Sequence, residues 1–218
     1  SNREAMYFMF ERYSLKCKLV AALTLLLMGV GALFTAVSYI YSSKMADNII
    51  DHTLQMKIEG DINSAKLYVQ KHFGEFGVED GTMQDAQGRE VAGRHSMVDE
   101  LAEDLGVVAT IFARQGDRYQ RITTNIHQED GSRAVGTWLG SDSAAYAPIQ
   151  NGELYIGQAD ILGKPYLTAY DPIFGAQKRV IGILFIGIPQ SEINAIAEEN
   201  MQTIFRSGTI AFGLVLVA

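Results

Sequence analysis

An α+β domain held between membrane segments is the fold class this chain predicts, and three observations carry it. Residues 19–40 contain no charged side chain. Leu54, Ile58, Ile62, Ala65, Val69 and Phe73 then recur at 3–4 spacing, the mark of an amphipathic helix. From residue 107 onward, short β-branched and aromatic runs alternate with Gly-containing turns and end in the wholly apolar stretch 180–188. Consecutive antiparallel strands preceded by one long helix make an α+β domain.

Taken in order, residues 1–18 mix aromatic and charged side chains and form a short N-terminal segment. Residues 19–41 are a first transmembrane helix, since 22 uncharged residues at ~1.5 Å each cover about 33 Å. Tyr39 and Tyr41 suit its interfacial end. Arg3, Arg12, Lys16 and Lys18 precede it while Lys44 alone follows closely, so the positive-inside rule places residues 1–18 in the cytoplasm. The domain of residues 42–190 then lies outside. A cleaved signal peptide is the competing reading, but its apolar core is usually only ~7–15 residues. Residues 44–73 extend the membrane helix as a long amphipathic one, with a second stripe available to a partner chain, so a homodimer is expected.

Gly74, Gly77, Gly81 and Gly88 mark loops around a short strand near 82–86. Ser96 is placed to cap a helix that Gly106 ends. Strands are predicted over 107–114 and 119–126, followed by a Gly-rich loop at 128–140 and a short helix at 143–150. A hairpin over 153–162 and 165–174 leads into 180–188, which has no polar side chain on either parity and is therefore central in its sheet, covered on both faces. Pro189 ends it. Residues 191–207 are predicted as a signalling helix capped by Ser191, and 208–218 as the start of a second transmembrane helix, truncated here. A cytoplasmic signalling module is expected beyond it.

The formal net charge is −7, with residues 1–41 at +2 and the remainder at −9. That balance argues against nucleic acid as a partner, because phosphate binding needs clustered Lys and Arg. Cys17 is the single cysteine, so neither an intrachain disulfide nor a cysteine metal site is available. His95, Asp99 and Glu103 share a helical face but match ordinary acidic spacing, and the Gln128–Gly131 run lacks the rest of a calcium loop. Neither a nucleophile elbow nor a zinc-protease motif occurs. The chain is read as a non-enzyme without cofactor or metal.

Strand parity locates a candidate ligand site. Tyr119, Arg121, Thr123 and Asn125 fall on one face of the strand at 119–126, and Tyr166, Thr168 and Tyr170 on one face of the strand at 165–171. If these faces coincide, a guanidinium among hydroxyls lines one concavity, a set suited to a carboxylate. Alternatively this is the solvated face of an antiparallel sheet. Arg133 is a substitute anion partner, or a clamp on loop carbonyls.

The run Val108-Ala109-Thr110-Ile111-Phe112, then Gly116-Asp117, Arg121, Thr124-Asn125, the 131–137 segment, Tyr146, Gly163-Lys164-Pro165-Tyr166, Tyr170-Asp171-Pro172-Ile173 and the 180–187 stretch occur in a characteristic order. In this it resembles the single-Cache sensor domain (Cache 3/Cache 2 type) of bacterial methyl-accepting chemotaxis receptors and related kinases and cyclases, over roughly residues 45–190. The resemblance implies a PAS-like antiparallel sheet with a long N-terminal helix, an inner-membrane protein with its sensor in the periplasm, and binding of a small organic acid such as pyruvate, acetate or propionate under a lid, here residues 133–150. With the resemblance supporting the polar-face pocket, the expected ligand set is Arg121, Thr123, Asn125, Tyr146, Tyr166, Thr168 and Tyr170. The expected function is the input domain of a chemoreceptor, passing a helix displacement across the membrane. The alternatives are the same sensor on a histidine kinase or diguanylate cyclase, or an anchored protein-binding domain without a small ligand.

Overall fold

The computed structural model describes residues 15–191, with the side chains of 42, 43 and 45–51 outside that description. The expected N-terminal segment lies mostly outside the described residues, as do the signalling helix beyond Ser191 and the second membrane run. One continuous helix, α1 (Leu15–His72), covers both the predicted membrane span and the predicted amphipathic helix. Its stretch Leu15–Tyr41 is long and apolar enough to cross a bilayer, with its side chains uncovered. By contacts the chain divides into two units, 1–52 and 53–218, and the rest of this description concerns the second.

A small hairpin, β1 (Gly77–Glu79) and β2 (Thr82–Gln84), leads to α2 (Ser96–Leu105). Ser96 is the first helical residue and not the cap: His95 holds the N-cap position without a side-chain cap bond. Gly106 ends α2 as expected, at φ 68°, a left-handed conformation that a Cβ disfavours. The main sheet contains β3 (Val108–Gln115), β4 (Arg118–Thr124), β5 (Trp138–Leu139), β6 (Tyr155–Ile161), β7 (Lys164–Phe174) and β8 (Val180–Pro189), with α3 (Tyr146–Gln150) between β5 and β6. It is fully antiparallel in the order β5-β4-β3-β8-β7-β6. This is the PAS-like sheet with a long N-terminal helix. The two-residue β5 lies inside the stretch predicted as pure loop, where it pairs Tyr119 with Leu139 and Gln120 with Trp138.

The apolar run at 180–188 occupies the centre, as its composition demands: Ile183, Leu184, Phe185, Ile186 and Ile188 are all buried. Two separate cores explain why both parities are apolar. Leu184, Ile186 and Ile188 join Ile111, Ala113 and Ala169 beneath Ile58, Ile62, Ala65, Met97 and Leu101 of α1 and α2. On the other face Ile183 and Phe185 join Phe112, Tyr119 and Tyr170 beneath Ile126, Ala134, Leu139, Ala145 and Ile149. Fully burying each large aliphatic or aromatic side chain contributes about 1.5–3 kcal/mol. Polar pairs pin the helical layer: Lys66 Nζ lies 3.1 Å from Asp171 Oδ2 on β7, Lys71 and His72 meet Glu100 of α2, and Tyr68 donates to Asp104.

One irregularity decides which side chains share a face. Ile111 pairs with Thr123 but Phe112 pairs with Arg121, so Ile122 is an extra residue, a β-bulge in β4. Arg121 therefore stays with Phe112 on the second face. Thr123 stays with Ile111 on the helical face, against the strict alternation predicted for this strand.

Candidate functional site

Arg121 is the residue around which the second face is built. Its backbone is held on both sides by the segment leading to β5: Arg121 N donates to Thr137 O and Gly136 N donates to Arg121 O, each at 2.8 Å. Its side chain is 6 % exposed, with the guanidinium carbon 5.1 Å above the Phe112 ring. Nη1 donates to Thr137 Oγ1 at 2.6 Å, and Nε is buried without a partner. Among the described residues no carboxylate forms an ion pair with it. Burial pulls its pKa down, while the nearby Tyr170 hydroxyl works the other way. A buried cation normally has a counter-charge, because desolvating it alone costs several kcal/mol.

Arg121 faces a cavity of about 360 Å³, in the lower range of small-molecule sites, ~300–1,000 Å³. Its floor is Phe112, Arg121 and Tyr170; one wall is residues 137–144 and the other is β6 with Leu162 just beyond its end. Tyr170 is buried at 2 % exposure and its ring lies tilted against that of Phe185, 4.8 Å between centroids. Burial pushes its hydroxyl up to about 12, against the pull of Arg121, so it is a neutral donor at physiological pH. Trp138 lines the mouth with the Arg118 guanidinium 4.3 Å from its ring.

Of the seven residues expected to form the site, Arg121 and Tyr170 line this cavity together. Thr168 is on the same face of β7 as Tyr170, fully buried, and its hydroxyl donates to Gly157 O at 2.7 Å. Tyr166 is buried further along that face, next to Gly187. Tyr146 sits on α3 over Tyr119, at 6.3 Å between rings, and its hydroxyl donates to Asp117 O. The bulge at Ile122 removes the two others from the shared face. Thr123 donates to Val91 O, and Asn125 is consumed by backbone: its Oδ1 accepts from Ala109 N and its Nδ2 donates to Val98 O and Val107 O.

Arg133, the substitute anion partner, is a clamp: it forms a bidentate pair with Asp99 at 2.8 and 2.9 Å and donates to Thr124 O. His95 Nδ1 accepts from Thr124 N at 3.3 Å beside it, and burial, then the Arg133 charge, holds that imidazole below its usual range. Sequence reasoning missed the walls. Thr137, Trp138, Asp142 and Ser143 come from a loop with no periodic signal, and Gln158 and Asp160 from an edge strand whose pairing parity does not predict.

The family described as Cache 3/Cache 2 fusion domain matches residues 42–209. Among solved structures, the Escherichia coli DcuS sensor domain matches at 17% identity and TM-score 0.41, covering 64% of this chain and 96% of that one. The periplasmic domain of RsbU from Chlamydia trachomatis matches at 11% identity and TM-score 0.40, covering 70% of this chain and 52% of that one. No curated protein matches.

Proposed function

This chain belongs to the Cache 3/Cache 2 fusion-domain family, and from that premise we propose that it is the membrane-anchored input domain of a bacterial transmembrane receptor, binding a small organic acid in the cavity over Arg121. The observation that carries this is the buried guanidinium with a partnerless Nε, facing a partly open cavity beside a neutral phenol. A ligand carboxylate supplies the missing counter-charge, in a bidentate or side-on pair with Arg121, while the Tyr170 hydroxyl donates to a carboxylate oxygen. Thr168 and Tyr166 support the Tyr170 strand from the same face. Such a site binds and releases a ligand, which is what a sensor requires.

Coupling follows from Thr137. It ties the lid to the Arg121 side chain and backbone, so a carboxylate drawing on Arg121 changes the lid's hold on β4. A ligand shifts a signalling equilibrium only by its difference in affinity for two states, and lid closure provides that difference. The displacement passes through β3 to β8, whose end at Pro189 turns at once into helical Gln190 and Ser191. In this reading the domain is periplasmic, dimerises through α1 and drives a chemotaxis-type output.

A thermal-shift screen of the 218-residue chain in detergent, with small mono- and dicarboxylates, tests the reading. A true ligand stabilises the folded chain by about 2.7 kcal/mol at a hundred times its Kd, and the melting temperature rises with ligand concentration. Calorimetry should show Arg121→Ala weakening that ligand by two to three decades, the usual ~3–5 kcal/mol of a broken desolvated pair. Unchanged affinity in folded Arg121→Ala protein rejects the assignment.

A further inference from the structure

The cavity side of β6 is built around a missing side chain. Tyr155 is paired with Tyr170 and the register is regular to Ile161, so Tyr155, Gly157, Ala159 and Ile161 share the face of Tyr170. Gly157 is paired with Thr168, and Thr168 with Gly187 of β8, so one row across the sheet reads glycine, threonine, glycine. Tyr155 uses the gap. Its ring leans along the strand, with Cζ 2.8 Å from where a Cβ on Gly157 would lie and the hydroxyl closer still. Phe185 and Tyr166 crowd Gly187 from the other side of Thr168, which is fully buried between them. Gly157 is not among the left-handed glycines, so its backbone does not demand glycine; the ring laid on it does.

Where that ring lies decides how far the cavity extends from Arg121. Tyr155 and Arg121 both line it, with the Tyr170 ring 6.2 Å from that of Tyr155 on the floor between. Seated on Gly157, the Tyr155 ring closes the β6 end of the space. Its removal would leave the glycine row open beneath, and raising it would bring it into the cavity. A Cβ at 157 projects from the same face, so alanine there lifts the ring by about 1 Å, to an ordinary carbon contact of ~3.5–4.0 Å. We propose that Tyr155, seated on Gly157, is a specificity-determining residue that sets the longest ligand Arg121 can anchor. The inference rests on the carboxylate reading of Arg121 and adds to it a limit on length. The limit is steric: a tail that overruns the ring is rejected by clash.

Straight-chain monocarboxylates from acetate to octanoate, titrated calorimetrically into the 218-residue chain in detergent, read that limit. Each affinity is taken as variant over wild type at one chain length, which cancels partition into detergent. A methylene that the site buries adds about fourfold to affinity. In Tyr155→Ala the ratio should climb about tenfold or more from acetate to octanoate, as the tail enters the vacated row. In Gly157→Ala it should fall by about tenfold over the same range, because the raised ring shortens the space. Tyr155→Phe keeps the ring and should hold the ratio level. In the double variant the effect of Gly157→Ala should vanish, since no ring remains to be raised. A cooperative melt in each variant certifies the fold. The inference is overturned if either slope is absent, if the two share a sign, or if Gly157→Ala keeps its slope without the ring. Arg121→Ala separates the two levels. Acids that depend on Arg121 while their length profile ignores Tyr155 defeat the length limit and leave the carboxylate site standing. Acids that bind regardless of Arg121, or a series in which none binds, defeat both.

Discussion

Arg121→Met exchanges a buried guanidinium for a thioether of similar length, and the two consequences have opposite signs. Without ligand, the wild-type fold carries a desolvated cation at 6 % exposure with no carboxylate in contact among the described residues, a cost of several kcal/mol. Met removes that cost but forfeits the hydrogen bond to Thr137 Oγ1, about 1.5–3 kcal/mol, and the contact with the Phe112 ring, about 0.5–2 kcal/mol. The balance leaves the unliganded variant more stable by about 1 kcal/mol, or ~2–4 °C in melting temperature for a chain of this size. With ligand, the variant lacks the one cation that lines the cavity among the described residues and loses about 3–5 kcal/mol of binding. Thermal melts with and without a carboxylate that shifts the wild type measure both effects in one experiment. The expected result is a higher unliganded melting temperature and no ligand shift. A variant that melts lower and still shifts would identify Arg121 as a strut for the lid, and the reasoning about its missing counter-charge would be wrong.

Other outcomes follow from the same geometry. Gly182→Ala on β8 drives a Cβ into Phe112 O and Met83 Cε, so chemical denaturation should show a loss of about 1–3 kcal/mol. Burial alone would raise the Asp85 carboxyl, but bonds from Arg89 N, the Arg94 and Arg89 side chains and Gln87 N outweigh it and hold it below its ordinary 3.8. Its contribution is therefore complete above about pH 4 and lost as the pH falls further, and Asp85→Asn should flatten that acid limb in melts taken across pH. The His95 imidazole is held below 6.5, so the unfolded chain binds its proton first. Stability linked to it is complete above about pH 6.5 and declines as the pH drops through that value, a decline that His95→Gln should remove. Thr137→Val cuts the lid's bonds to Arg121 and to Ala134 O while keeping its volume, and should raise the ligand dissociation rate in stopped-flow measurements and lower the stability of the unliganded fold by about 1–3 kcal/mol in thermal melts.

The central position of β8 was legible because nine consecutive apolar residues have no solvent-compatible face; only a sheet covered on both sides accommodates them. The α1 stripe was legible for the same reason, with Ile58, Ile62 and Ala65 buried where the spacing put them. Arg121 and Tyr170 emerged from parity because their strands are regular up to those residues. Parity failed one residue past Arg121, where Ile122 bulges. A bulge depends on how β4 meets β3 and β5, a pairing between segments distant in sequence, and nothing local in Arg-Ile-Thr-Thr announces it. Asn125 had the composition of a ligand group and serves as a backbone plug at the end of β4.

The two walls of the cavity are not equally braced. The floor strands β3, β4 and β7 each have a strand neighbour on both sides, whereas β6 is bonded only to β7 and the opposite wall is loop apart from the two residues of β5. Compliance is thus concentrated in the parts that touch a guest last, while the guanidinium beneath is set in stiff masonry. On the proposed reading, mutational drift in the walls retunes which guest is admitted without disturbing the anchor, and related domains sharing the floor are free to diverge in diet through residues 137–144 and 155–162.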